Sequence, residues 1–184
     1  DHPNPKSTAD FTELSYEETY LKYKGQYPIY LQKVTDGRDS MEAALQSQAL
    51  LQFFETEVDK GMQDLAVFRA QVWQELQSGK QVSIMVQGFA SPLAKSDYNV
   101  HLTNRRISAI KNYFEEIDGG KFAPYMLTTP SRLQFIEVPM GEYKANKDVS
   151  DNYYDQRNSV YSKDASLERR IEIIELRTET LPPR

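Results

Sequence analysis

The residues with most to offer chemically lie close together in the chain. Asn99, Thr103 and Arg106 stand at i, i+4 and i+7, which puts them on one face of a helix. A guanidinium there suits carboxylate recognition, because its planar fork can hold both oxygens at once. Just upstream, Gly88 to Ser96 reads as a loop. A loop that opens a helix offers backbone N–H groups and partial positive charge to an anion. Phe89, Ala90, Ser91, Asp97 and Leu102 complete the immediate neighbourhood. Arg157, with Asn158, and Arg170 are further candidates from later in the chain. Each has a plainer reading. Arg106 can pair internally with Glu172, Asp97 can cap the helix, and Arg157 can be purely structural. Arg169 and Arg170 can fasten the start of a strand through carboxylate pairs.

Catalysis finds little support among these residues. His101 is one of two histidines and has no matched nucleophile. No H-E-x-x-H, G-x-S-x-G or phosphate-cradling glycine loop is present. With zero cysteines, disulfides, thiolate metal sites and cysteine nucleophiles are excluded. Acidic residues number 27 of 184, so chance pairs are expected and single out no acid/base couple. The expectation is a binding protein that is not an enzyme, with no cofactor and no metal.

Composition narrows the partners. A net charge of −5 argues against nucleic acid, which asks for a basic face. No apolar run approaches the roughly 18–20 residues of a membrane span. A hydrophobic fraction of 39% suffices for one ordinary core.

The elements that must position the candidate residues follow from periodicity. The first ten residues read as a loose lead-in. Ser15-Tyr16-Glu17-Glu18 is a capping box, and Tyr16, Tyr20, Tyr23 and Tyr27 behind it mark one helical face for packing against the rest. Pro28 breaks or kinks this helix. A long helical pattern spans about Ser40 to Ser78, with Val58, Met62, Leu65, Val72 and Leu76 along one stripe and Gly61 as its weak point. Gln81 to Gln87 alternates at period two, as a strand does. A helix over roughly Tyr98 to Ile117 turns Leu102, Ile107, Ile110, Phe114 and Ile117 inward, and Asp118-Gly119-Gly120 ends it. Leu133–Val138 and Arg170–Leu176 are further strands. Gly141 to Asn158 is a long polar loop in which Asp148, Asp151, Asp155, Tyr153 and Tyr154 could meet a ligand or merely pin the loop. The fold class is α+β with helices on one face of a mixed sheet. Residues 1–38 form a lead-in and tyrosine-rich helical extension, 39–180 the main domain and 181–184 a tail.

Two segments carry a resemblance. Val86-Gln87-Gly88-Phe89-Ala90-Ser91, followed by Tyr98 to Arg106, resembles the OmpA C-terminal-like pattern of a strand ending in G-H-T-D and a helix reading N-x-x-L-S-x-x-R. Gly88, Asn99, Leu102 and Arg106 align, and Thr103 replaces the usual serine. Glu168-Arg169-Arg170-Ile171-Glu172-Ile173 is similar to the closing N-R-R-V-E-I strand, and Gly141-Glu142 to the G-x-G-E stretch. The resemblance covers roughly residues 40 to 178. Gly88 to Ala94 and Ser159-Val160-Tyr161-Ser162 look most like a Bacteroidetes group of lipoproteins linked to type IX secretion, with helical repeats and a β-propeller upstream.

The resemblance implies a β/α/β/α/β sandwich that binds the diaminopimelate of the peptidoglycan stem peptide. Such a domain anchors a larger complex to the cell wall, with secretion-complex subunits as further partners. It also implies a periplasmic location and an outer-membrane tether upstream, Asp1-His2-Pro3 looking like the remainder of a first strand. Arg106 matches the arginine that grips a ligand carboxylate. Ser91 stands where the family aspartate grips the ammonium, and Phe89 where it has histidine. Losing one charged hydrogen bond weakens binding by roughly 10- to 150-fold. Asp97 is the nearest carboxylate in sequence to replace it. The alternative is a domain that has lost muropeptide binding and serves as a protein-interaction module.

Overall fold

The computed structural model describes residues 8–93, 96–142, 146 and 149–181. Asp148, Asp1 to Pro3 and the tail beyond Leu181 therefore lie outside the described residues.

The fold is α+β. A mixed sheet of β1 (Lys80–Phe89), β2 (Leu133–Gly141) and β3 (Ile171–Thr180) has the order β2-β1-β3. The β1 strand is parallel to β2 and antiparallel to β3. Its alternation decides the sheet's sidedness: Val82, Ile84 and Val86 are buried, while Ser83, Met85 and Gln87 between them are partly exposed. Helices α4 (Lys60–Gln77) and α5 (Ser96–Gly120) cover the apolar face. Between them and the sheet lies one core, from Leu65, Val72 and Leu76 through Ile107, Ile110 and Phe114 to Leu133.

The parallel β1–β2 pair needs a crossover, and α5 supplies it. Its last turn ends as the glycine pair requires: Ile117 leaves the helical region, and Asp118 and Gly119 follow with φ of 53° and 71°. A short helix, α6 (Ala123–Leu127), then leads into β2. The long helical stretch is α3 (Ser40–Phe53) and α4 joined through a π-helical turn, Phe54–Asp59. The irregularity therefore falls just before Gly61, where the ring of Phe54 turns into a second, smaller cluster.

That cluster holds Tyr30, Val34, Leu50, Phe53 and Phe54. It binds α1 (Tyr16–Gly25) and α2 (Tyr27–Thr35) to α3, with Tyr23 stacked on Phe54 at 5.3 Å. Pro28 sits in the first turn of α2, where its missing N–H costs nothing, so the chain bends at Gln26 and resumes as helix. The tyrosine stripe packs as expected.

From Ala9 to Leu14 the chain is tighter than its polarity suggests. One face of α5 straps it down. Arg105 donates to the Ala9 carbonyl at 2.7 Å, Ser108 accepts from the Thr12 N–H at 2.9 Å, and Asn112 donates to the Thr12 and Leu14 carbonyls. The strap delivers Ser15 to α1, where the capping box closes: the Ser15 hydroxyl accepts from the Glu18 N–H and the Glu18 carboxylate from the Ser15 N–H at 2.8 Å. Ser15→Ala is expected to cost about 1 kcal/mol, a fall of about 2–4 °C in melting temperature for a chain of this size. Thermal unfolding followed by circular dichroism checks this, and an unchanged melting temperature assigns the start of α1 to packing alone.

Candidate functional site

The candidate residues converge where β1 ends and α5 begins. Gly88 is the hinge of this junction. A Cβ there would lie 3.0 Å from both the Thr103 Cβ and the Thr103 carbonyl oxygen, and 3.2 Å from Ile107. Only glycine lets α5 cross β1 this closely. Thr103 thus serves packing, and its hydroxyl donates to the Val100 carbonyl at 2.8 Å within its own helix. Leu102 is likewise buried in packing.

Arg106, one turn further on, is buried to 4% exposure. Its Nη1 donates to the Phe89 carbonyl oxygen at 2.6 Å. Burial, and after it the like charge of Arg169, pull its pKa down to about 9. Glu172, the internal partner considered for Arg106, is instead bound to Arg170 at 2.6 Å. Arg170 also lies over the Phe89 ring, 4.0 Å from its centroid, with Glu168 at 3.9 Å. Phe89 is therefore held three ways: its carbonyl by Arg106, its ring by Arg170, and its N–H by the Arg170 carbonyl at 3.0 Å.

A carboxylate does meet the start of α5, and it is Glu142. Asn99, 1% exposed, donates through Nδ2 to Glu142 at 2.7 Å, and the Ser96 hydroxyl donates to its other oxygen at 2.5 Å. Chain geometry brings Glu142 there. The N–H of Ala90 donates to the Gly141 carbonyl at 2.7 Å, and Gly141 turns at φ 57° against the Val100 side chain, a conformation suited to glycine. Sequence reasoning favoured Asp97, which lies exposed in the first turn of α5. The signal for Glu142 was the Gly141-Glu142 pair, but its value depends on β2 ending beside α5. Ser91 is buried beside Ala90.

The other candidates go elsewhere. Arg157 fastens the C-terminal end of α2, donating to the Lys33 carbonyl at 3.3 Å and to that of Asp36. Orphan carbonyls at a helix end attract such a cation. Arg169, expected to pair with carboxylates, donates to Tyr30 Oη, the Val160 carbonyl and Ser166 Oγ. It ties the start of β3 to α2 and to the π-helical turn Arg157–Tyr161, just before α7 (Lys163–Leu167). Asp155 bonds Asn158, and Asp151 is exposed. Tyr153 and Tyr154 lie on the surface, 66% and 93% exposed, ring edge against ring face. His101 pairs with Asp10 at 2.5 Å on the strap.

Phe89, Ala90, Ser91, Asn99, Arg106 and Arg170 are thus brought together, with Ser96 and Glu142 added. The Arg106 guanidinium at the end of β1 and the Glu142 carboxylate at the start of α5 are the two charges that a ligand carrying both an acid and an ammonium group calls for. Among the described residues no helix is long and apolar enough to cross a membrane. No family model, curated protein or solved structure matches this chain.

Proposed function

We propose that the chain binds the peptidoglycan stem peptide non-covalently, through its diaminopimelate residue, and so anchors a larger periplasmic complex to the cell wall. The observation that carries this reading is that the Arg106 guanidinium holds the Phe89 carbonyl at the end of β1 while the Glu142 carboxylate is held by Asn99 and Ser96 at the start of α5. A ligand carboxylate and ammonium call for such a pair of charges. In this reading Glu142, oriented by Asn99 and Ser96, takes the role of the family aspartate toward the ligand ammonium. The resemblance points to a secretion complex of the type IX kind, tethered to the outer membrane, as the cargo.

Co-sedimentation with purified sacculi tests it. The wild type is expected to pellet. Glu142→Gln should weaken binding by roughly 10- to 150-fold, and Arg106→Lys by about tenfold or more, since an ammonium cannot hold the Phe89 carbonyl and a carboxylate as a fork does. Pelleting that is indifferent to both substitutions moves the site elsewhere. A wild type that stays in solution favours a second reading, a protein-interaction module. The feature that supports that reading is the cleft of about 610 Å³ beside β3, lined by Tyr16, Tyr20 and Tyr23.

A further inference from the structure

Among the described residues the third strand is an edge of the sheet. It hydrogen-bonds to β1 on one side, and no described residue pairs with the other. The cleft of about 610 Å³ runs along this side and is lined by every residue from Ile171 to Leu176, with Phe53, Val58, Leu65 and Phe68 on the helical wall. Contact with successive residues, which point alternately to the two faces, means that the cleft opens onto the strand's backbone edge. An unpaired row of N–H and C=O groups is a template for one more strand.

The side chains along this edge select which strand. Opposite β1, the face pattern of β3 reverses at a bulge. Val86 pairs with Ile173 and Met85 with Glu175, leaving Ile174 as the extra residue. Ile171, Ile173, Leu176 and Thr178 therefore share the core side, and Glu172, Glu175, Arg177 and Glu179 the outer side.

We infer that β3 pairs antiparallel with β3 of a second copy of this chain, joining two three-stranded sheets into one across a two-fold axis. One register matches core to core and opposite charges on the outer side. It sets Ile173 against Leu176 and Ile171 against Thr178 on the core side, and Glu172 against Arg177 and Arg170 against Glu179 on the outer side, with the bulge residue Ile174 against Glu175 at the axis, each pair occurring twice by symmetry. The bulge, lying at the axis, keeps the faces matched. A shift of two residues one way opposes Glu172 with Glu179; the other way it opposes Arg170 with Arg177. A shift of one mixes core and outer faces. In the single chain these charges are satisfied along their own strand, Arg170 with Glu172 and Arg177 with Glu175, both at 2.6 Å. Such exposed pairs are worth little and exchange readily.

Sedimentation equilibrium on the whole chain over a concentration series, with no ligand present, tests the inference; Arg106 lines the same cleft, so sacculus binding is measured separately. The wild type is expected to dimerise. Glu172→Arg and Arg177→Glu each place like charges across the axis twice and should weaken the dimer by about tenfold or more. An equimolar mixture of the two variants should regain wild-type affinity, because their altered side chains meet as opposites. The double exchange in one chain should do the same, which separates lost pairing from lost folding. A wild type that remains monomeric at every concentration overturns the inference, the charges then guarding the edge. A dimer that both single variants leave intact overturns it as well, since another surface would be responsible.

Discussion

Phe114→Ala is expected to lower the free energy of unfolding by about 3–5 kcal/mol, the usual cost of removing a fully buried ring. Phe114 has no exposure at all and lies where the core's aromatic rings meet. Its centroid is 5.6 Å from that of Tyr113, 5.3 Å from Phe122 and 5.5 Å from Phe135, each ring edge-on. These neighbours come from α5 itself, the segment before α6, and β2, so the void cannot close by moving one element. Urea denaturation should show a lower midpoint with an unchanged slope, and the melting temperature should fall by about 10 °C. A loss below about 1.5 kcal/mol would mean that the cavity collapses, and that α5 is held chiefly by its contacts with β1. The consequence reaches the site, because α5 also carries Asn99 and Arg106.

Gly88→Ala should cost about 2–3 kcal/mol for the opposite reason, too many atoms rather than too few. The added methyl would meet Thr103 at 3.0 Å, partly as backbone, and a helix carbonyl cannot rotate away. Relief requires α5 to lift from β1, which lengthens the Arg106 bond to Phe89 at the same time. Stability and sacculus binding are therefore expected to fall together. Gly61→Ala is the control: nothing lies within 4 Å of the added methyl in α4, and replacing a mid-helix glycine should stabilise by about 0.5–1 kcal/mol. If Gly88→Ala behaves like Gly61→Ala in urea, the close approach of α5 to β1 is softer than its geometry implies.

Much of the secondary structure was legible because the signals are local. The capping box at Ser15, the alternation from Gln81 to Gln87 and the stop at Asp118-Gly119-Gly120 each act within a few residues, and each stands in the fold. The short helices α6 and α7 were missed: five residues are too few for a periodic pattern. The fastening of Ala9 to Leu14 was not legible because these residues are largely polar or small, whereas their fasteners, Arg105, Ser108 and Asn112, lie about a hundred positions away.

The sequence by itself determined the α+β class, the lack of any thiol chemistry, and the shared helical face of Asn99 and Arg106, since composition and period are properties of the string. Only the tertiary structure decided which groups that face meets. Asn99 finds Glu142, 43 positions on, because β2 runs parallel to β1 and ends beside the start of α5. Thr103 packs against Gly88 and gives its hydroxyl to its own helix. Arg157 is drawn to the carbonyls at the end of α2, and Arg170 to Phe89. Any of several arginines and carboxylates could have been paired by charge alone. Packing and the need to satisfy buried backbone groups chose among them.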